Sequence, residues 1–206
     1  MKHPYQVMGT TVPQMLGRRA IWEQLQRHLV KSTTDNVSII GPTLYGKSVV
    51  LNHLAEQLQP GSPNFVTSAY VDFRHAPPAS DEQLRIRFAE TVKDVLRKVL
   101  PDIADWIDLA DKGLHELLDL AFHELEKRER RLLVVLDGFD PVLSEARITR
   151  NIWDQLRSLA QKASLALVTG SRRPLSELCK SEESRASDFW EIFYDTPIII
   201  GAFEGR

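Results

Sequence analysis

The stretch NVSIIGPTLYGKSVVLNHLAEQL, residues 36–58, limits the fold more than any other part of the chain. Val37 to Ile40 are short, largely β-branched and apolar, which suits a buried strand. Val50, Leu51, Leu54, Ala55 and Leu58 recur at helical spacing, and QPGSPN (59–64) supplies the stop. Between strand and helix lies GPTLYGKS (41–48), a full match to G-x-x-x-x-G-K-[ST]. With glycine near 7% of residues, such a match arises by chance in roughly one chain in a hundred of this length. The chain therefore has to turn tightly from a buried strand into an amphipathic helix, and a strand–loop–helix unit of this kind needs a sheet around it.

The rest of the sequence supplies that sheet. FVTSAYVDF (65–73), RLLVVLD (131–137), LALVTG (165–170) and PIIIGAF (197–203) read as four more strands. Helical stripes separate them: Ile21, Trp22, Leu25 and Leu29 between Ala20 and Lys31; a helix to about Val99, opened by a capping box of Ser80 and Gln83; Leu114, Leu117, Leu118, Ala121, Phe122 and Leu125; and Ile148, Ile152, Trp153, Leu156 and Leu159. A short helix is expected near 175–180, and Pro101 and the stretch to Asp111 break the pattern. Strands alternating with helices predict an α/β fold, with a parallel sheet covered on both faces.

At 206 residues the chain has room for one sizeable core. We divide it into an N-terminal arm, 1–16, and a core domain, 17–206. A net charge of −2 does not mark a nucleic-acid binder, and the single cysteine, Cys179, excludes a disulfide framework. No apolar run is long enough to cross a bilayer and no secretory leader is evident, so a cytoplasmic location and no membrane partner are expected.

The chemistry follows from the loop. Its backbone N–H groups form a nest for phosphate, and Gly41 and Gly46 let the chain approach an anion without a Cβ in the way. Lys47 adds a point charge for the β- and γ-phosphates, and Ser48 offers a hydroxyl to Mg²⁺. The expected contacts are Gly41, Pro42, Thr43, Leu44, Tyr45, Gly46, Lys47, Ser48 and Val49. The bland alternative is a glycine-rich turn carrying a solvated lysine. Mg²⁺ needs a second, acidic partner, and Asp137 ends the apolar run Leu132–Leu136 where it can serve, through water. Otherwise Asp137 is a strand-end residue or a helix cap. Asp140 either polarises an attacking water or caps the helix before Pro141. In LVTGSRRP (167–174), Arg172 or Arg173 is placed to sense a γ-phosphate; the alternative is a polar loop before Pro174.

With these residues in view, the chain resembles the STAND branch of P-loop ATPases, close to the AAA+ proteins. LGRRAIWEQLQRHL (16–29) looks like the GRxxxxxxL box ahead of the loop. LLVVLDGFD is similar to the hhhhDGxD form of NACHT-type members, and LVTGSRRP to their TSRP segment with one residue added. Leu44 stands where a glycine is usual. The resemblance implies a three-layer core with a five-stranded sheet in the order 5-1-4-3-2, and ATP and Mg²⁺ at the carboxyl ends of the strands. It places Arg18 near the adenine or ribose and brings backbone atoms of Gln14 to Leu16 to the base. It also implies a switch between ATP and ADP states in a regulatory or defence assembly, with a homo-oligomer or an effector protein as partner and nucleic acid only indirectly. The family continues into a helical lid, whereas this sequence stops at Arg206. We therefore expect a fragment, or a site that a partner completes, with binding ahead of turnover. Two other functions fit the residues: a non-hydrolysing scaffold, and a small-molecule kinase using Asp72 in VDFRH (71–75).

His115, Asp119 and His123, four residues apart, are a conceivable metal set or, more simply, a solvated stripe opposite the leucines. EKRERR (126–131) reads as the solvated end of a helix. Trp22, Trp106, Trp153 and Trp190 are assigned to the core or an interface, and Cys179 is assigned no chemistry.

Overall fold

The computed structural model describes residues 18–30, 35–57, 65–107, 112–179, 181–193 and 197–202. The arm 1–16, the segment 59–64 and the backbone atoms of Gln14 to Leu16 lie outside the described residues. The elements run α1 (Arg19–Leu29), β1 (Val37–Ile40), α2 (Lys47–Gln57), β2 (Thr67–Asp72), α3 (Asp81–Val99), α4 (Pro101–Ala104), α5 (Leu114–Lys127), β3 (Leu132–Asp137), α6 (Asp140–Ser144), α7 (Arg150–Ala160), β4 (Leu165–Ser171), α8 (Leu175–Leu178), α9 (Glu182–Ala186), a 3₁₀ turn (Asp188–Phe193) and β5 (Pro197–Ile199).

The five strands form one sheet in the order β2-β3-β4-β1-β5, every pair parallel. Read from the other edge this is 5-1-4-3-2, as expected. Alternation along each central strand divides the core. Leu132, Val134, Leu136, Leu165 and Leu167 join the face covered by α3, α5 and α7. Leu133, Val135, Ala166 and Val168 join the face covered by α1 and α2. The result is a three-layer α/β core with helices on both faces. All six residues of β3 and all seven of β4 are buried, so the carboxylate of Asp137 enters this sheet only at the end of its strand.

Element edges depart from the reading in instructive ways. β5 spans three residues rather than running to 203, because β1 ends at Ile40 and leaves no partner; one last bond, from the Ile200 amide to the Ile40 carbonyl, closes the pairing. The Ser80 hydroxyl caps α3 by accepting from the Gln83 amide at 3.3 Å, but the Gln83 side chain reaches back to the Ala79 amide, one residue before the cap. Pro101 breaks α3 as expected and itself starts the short helix α4, since proline suits a first helical position. Trp153 is in the core and Trp106 is exposed.

Candidate functional site

The loop 41–48 sits at the carboxyl end of β1, between that strand and α2. Two of its residues are left-handed, Leu44 with φ 69° and Gly46 with φ 86°. Alternation of hand on either side of Tyr45 is the backbone pattern from which anion nests are built, and the Tyr45 amide itself bonds the Pro42 carbonyl at 3.4 Å. A Cβ built on Gly46 would meet nothing within 4 Å, so the ground in front of the loop is open. Pro42, Thr43 and Leu44 are exposed; Tyr45 through Val49 are half-buried. Leu44 is 85% exposed, a large apolar side chain in a conformation that glycine adopts more readily.

Lys47 opens α2 and folds its ammonium onto the loop, donating to the Gly41 carbonyl at 2.7 Å and the Pro42 carbonyl at 2.8 Å. Burial pushes its pKa down; the charges of Asp140 and Asp137 push it back up, and Arg172 lowers it further. The lysine, two acids and an arginine that the sequence scatters over 126 positions thus act on one point. Arg18, buried just ahead of α1, donates to the Tyr45 carbonyl at 2.8 Å. Its guanidinium grips the loop's own backbone.

Asp137 ends β3 with 1% of its surface exposed. Its Oδ2 accepts from the Tyr70 hydroxyl at 2.6 Å and faces Arg74 Nε at 3.3 Å. Asn52 Nδ2 bonds both the Tyr70 oxygen, at 3.1 Å, and the Ser48 carbonyl, at 2.8 Å, which ties the first turn of α2 to this acid. Burial, reinforced by the Asp137 charge, drives the Tyr70 phenol far above its ordinary range. Asp72, the register partner of Asp137, is forked by Arg74 at 2.6 and 2.9 Å. Burial would raise the Asp72 carboxyl, but the Arg74 hydrogen bonds outweigh it and hold it below the usual range.

Asp140 is buried and is itself the first residue of α6; the cap position is Phe139. Its carboxylate is not a helix cap but accepts from the Arg172 amide at 3.1 Å and from Arg172 Nε at 3.1 Å. The two candidate arginines therefore separate. Arg172 is bound to Asp140 while its side chain stays 62% exposed. Arg173 is exposed, and its carbonyl accepts from the Ser171 hydroxyl.

Tyr70, Asn52 and Gly138 were not singled out from the sequence. A phenol inside the largely buried run TSAYVD was the available signal for the first. For Asn52 and Gly138 the spacing held none. In the candidate metal stripe, Asp119 pairs with Lys162 at 2.8 Å and with His115 at 3.5 Å, and among the described residues no group of three or more His, Cys, Asp or Glu is gathered for a metal. Burial pushes the Cys179 thiol up to about 11, which keeps it in the unreactive protonated form.

An open nest, a lysine, a helix-borne hydroxyl and a buried strand-end acid, on a parallel sheet ordered 5-1-4-3-2, define a nucleotide-binding P-loop module. A family model described as AAA domain matches residues 27–172, and the chain belongs to that family. The comparison with curated proteins finds no match. Among solved structures, the fold is similar to the Aeropyrum pernix ORC2 protein in its ADPNP-ADP complexes, at 16% identity over 94% of this chain and 50% of that one, TM-score 0.64. It is similar to Aeropyrum pernix ORC1 in complex with DNA, at 17% identity over 94% and 48%, TM-score 0.59. Cdc6p from Pyrobaculum aerophilum matches at 16% over 94% and 48%, TM-score 0.57. The chain spans about half the length of these proteins.

Proposed function

We infer that this chain is an ATP-binding switch module of the STAND type, working in a regulatory or defence assembly with a second copy or an effector protein as partner. The observation that carries the reading is the Lys47 ammonium folded onto the Gly41 and Pro42 carbonyls beside an open, left-handed Gly46, with the charges of Asp140 and Asp137 acting on it. Loop amides and Lys47 hold the phosphates, and Ser48 and Asp137 hold Mg²⁺, the acid through water. The metal, when bound, neutralises phosphate charge. Arg172 senses the γ-phosphate: an anion arriving there competes with Asp140 for the guanidinium. Release of that pair frees the Asp140 carboxylate to orient a water. Arg18 acts on the nucleotide pocket through Tyr45.

The same pair favours the second reading, a non-hydrolysing scaffold, because the candidate base is engaged by Arg172 at 3.1 Å. The kinase reading is the weaker one, since Arg74 takes both oxygens of Asp72. DNA, present in the similar ORC1 structure, is not assigned to this chain, whose net charge is −2.

The test is ATP binding by Lys47→Ala, with a thermal melt as control. Affinity should fall more than about 100-fold, a loss of ~2.7 kcal/mol, while the melt stays cooperative. Undiminished affinity in a folded variant would overturn the site. Phosphate release by the native chain in Mg²⁺ and ATP separates switch from scaffold.

A further inference from the structure

Arg74 stands against the acid assigned to the metal, and the backbone around it is shaped to admit it. Its Nε lies 3.3 Å from Asp137 Oδ2, on the oxygen that also takes the Tyr70 hydroxyl. Its amide and its guanidinium are both anchored on Asp72, at 2.9, 2.9 and 2.6 Å. Asp72 is fixed in turn: the next amide, Phe73, bonds the Asp137 carbonyl at 2.9 Å, and Arg87 donates to the Asp72 carbonyl while lying over the Phe73 ring. An independent observation comes from Gly138. It is left-handed, at φ 69°, and a Cβ there would lie 2.4 Å from Arg74 Cγ and 3.1 Å from the Arg74 amide nitrogen. The glycine that follows the metal acid leaves the room that the Arg74 stem occupies.

We propose that Arg74 is a resident counter-cation of the site, which neutralises Asp137 and Asp72 where a divalent ion would and has to withdraw from Asp137 for the ion to bind. The proposal rests on Asp137 as the metal partner. A guanidinium carries one charge where Mg²⁺ carries two, so it offsets the carboxylates without matching the ion. Two consequences follow. Nucleotide binding depends less on Mg²⁺ than it would beside uncompensated carboxylates, because Asp137 does not confront the phosphates as a bare anion. The ion binds more weakly than two neighbouring carboxylates would otherwise hold it.

The experiment is a titration of a fluorescent ATP analogue from EDTA into millimolar Mg²⁺, on the full chain, with Arg74→Gln, Arg74→Lys, Gly138→Ala and Asp137→Asn beside the native protein. Arg74→Gln should lower the half-saturating Mg²⁺ about tenfold and weaken binding in EDTA by a similar factor. Arg74→Lys keeps the charge and should stay within about threefold of native in both. Gly138→Ala, which pushes the arginine stem aside, should move both quantities the way Arg74→Gln does, and serves if that variant fails to fold. Melting with Mg²⁺ alone gives a second readout: the ion should raise the midpoint of Arg74→Gln and leave the native midpoint in place. If Asp137→Asn raises the Mg²⁺ requirement while both Arg74→Gln and Gly138→Ala leave it unchanged, the counter-cation is overturned and Asp137 keeps its role. If Asp137→Asn changes nothing, the assignment of Asp137 falls and takes the counter-cation with it.

Discussion

Gly46 and Gly170 are both small for a reason, and the reasons differ. Around Gly46 there is open space, and the residue is needed for its left-handed backbone. At Gly170 a Cβ would press on Leu51 Cδ1 at 2.5 Å and on Asp137 Oδ1 at 3.2 Å. The two positions stand for the two halves of the site. The proposed phosphate half is mostly backbone, exposed at Pro42, Thr43 and Leu44 and open in front of Gly46, with the Lys47 ammonium lying on its carbonyls. The carboxylate half is buried side chains, Asp137 held by the Tyr70 hydroxyl and Asp140 by Arg172, so its acids are placed before any ligand arrives. One half is kept open and the other is kept still.

Gly170→Val should break the packed half with the largest effect, costing about 3 kcal/mol by overpacking between α2 and Asp137, read by chemical denaturation. Tyr70→Phe should cost about 2 kcal/mol, because it removes a hydrogen bond to a buried charge, and it carries a pH signature. The native phenol keeps its proton well above the point where an unfolded tyrosine loses it, near 10. The folded state therefore binds more protons in alkali. The stability from this group is complete below about pH 10 and declines as pH rises beyond it. Unfolding curves from pH 8 to 11 should show that decline in the native chain and a flatter one in Tyr70→Phe.

In the open half the expected changes are smaller and one is a gain. Gly46→Ala should lose about 1 kcal/mol to its backbone alone, yet lose more in ATP affinity than in stability, since its methyl stands where the phosphate approaches. A stability loss as large as that of Gly170→Val would erase the contrast. Leu44→Gly should stabilise by up to about 1 kcal/mol, by releasing a left-handed leucine. The smallest effect belongs to Thr169→Val. Its hydroxyl is buried without a hydrogen-bond partner among the described residues, as is that of its register neighbour Ser38. Removing it should gain about 0.5 kcal/mol.

The alternation of strands and helices, the loop and the acid of β3 could be read from the chain because each announces itself locally, whereas the sheet order was implied by the resemblance alone. A buried apolar run ending in Asp137 is visible in seven consecutive letters, and the loop in eight. What joins the pieces is not local. Tyr70 and Asp137 are 67 positions apart, and Asp140 and Arg172 are 32 apart. Hydrophobic periodicity says which face a residue takes, not which polar tip it meets. The choice between Arg172 and Arg173 stayed open for that reason. Arg18 was placed beside the base or ribose by resemblance; spacing along a helix could not reveal that its guanidinium lands on the Tyr45 carbonyl.

That last contact has a mechanical reading. Beyond one end of α1, Arg18 holds the loop backbone at Tyr45; near the other, His28 meets Asp35 at 2.8 Å, two residues before β1 begins. The helix is thus fastened both to the strand that feeds the loop and to the loop itself, as a lever is fastened at pivot and load. A contact made on α1 therefore lies one hydrogen bond from the loop backbone, through Arg18.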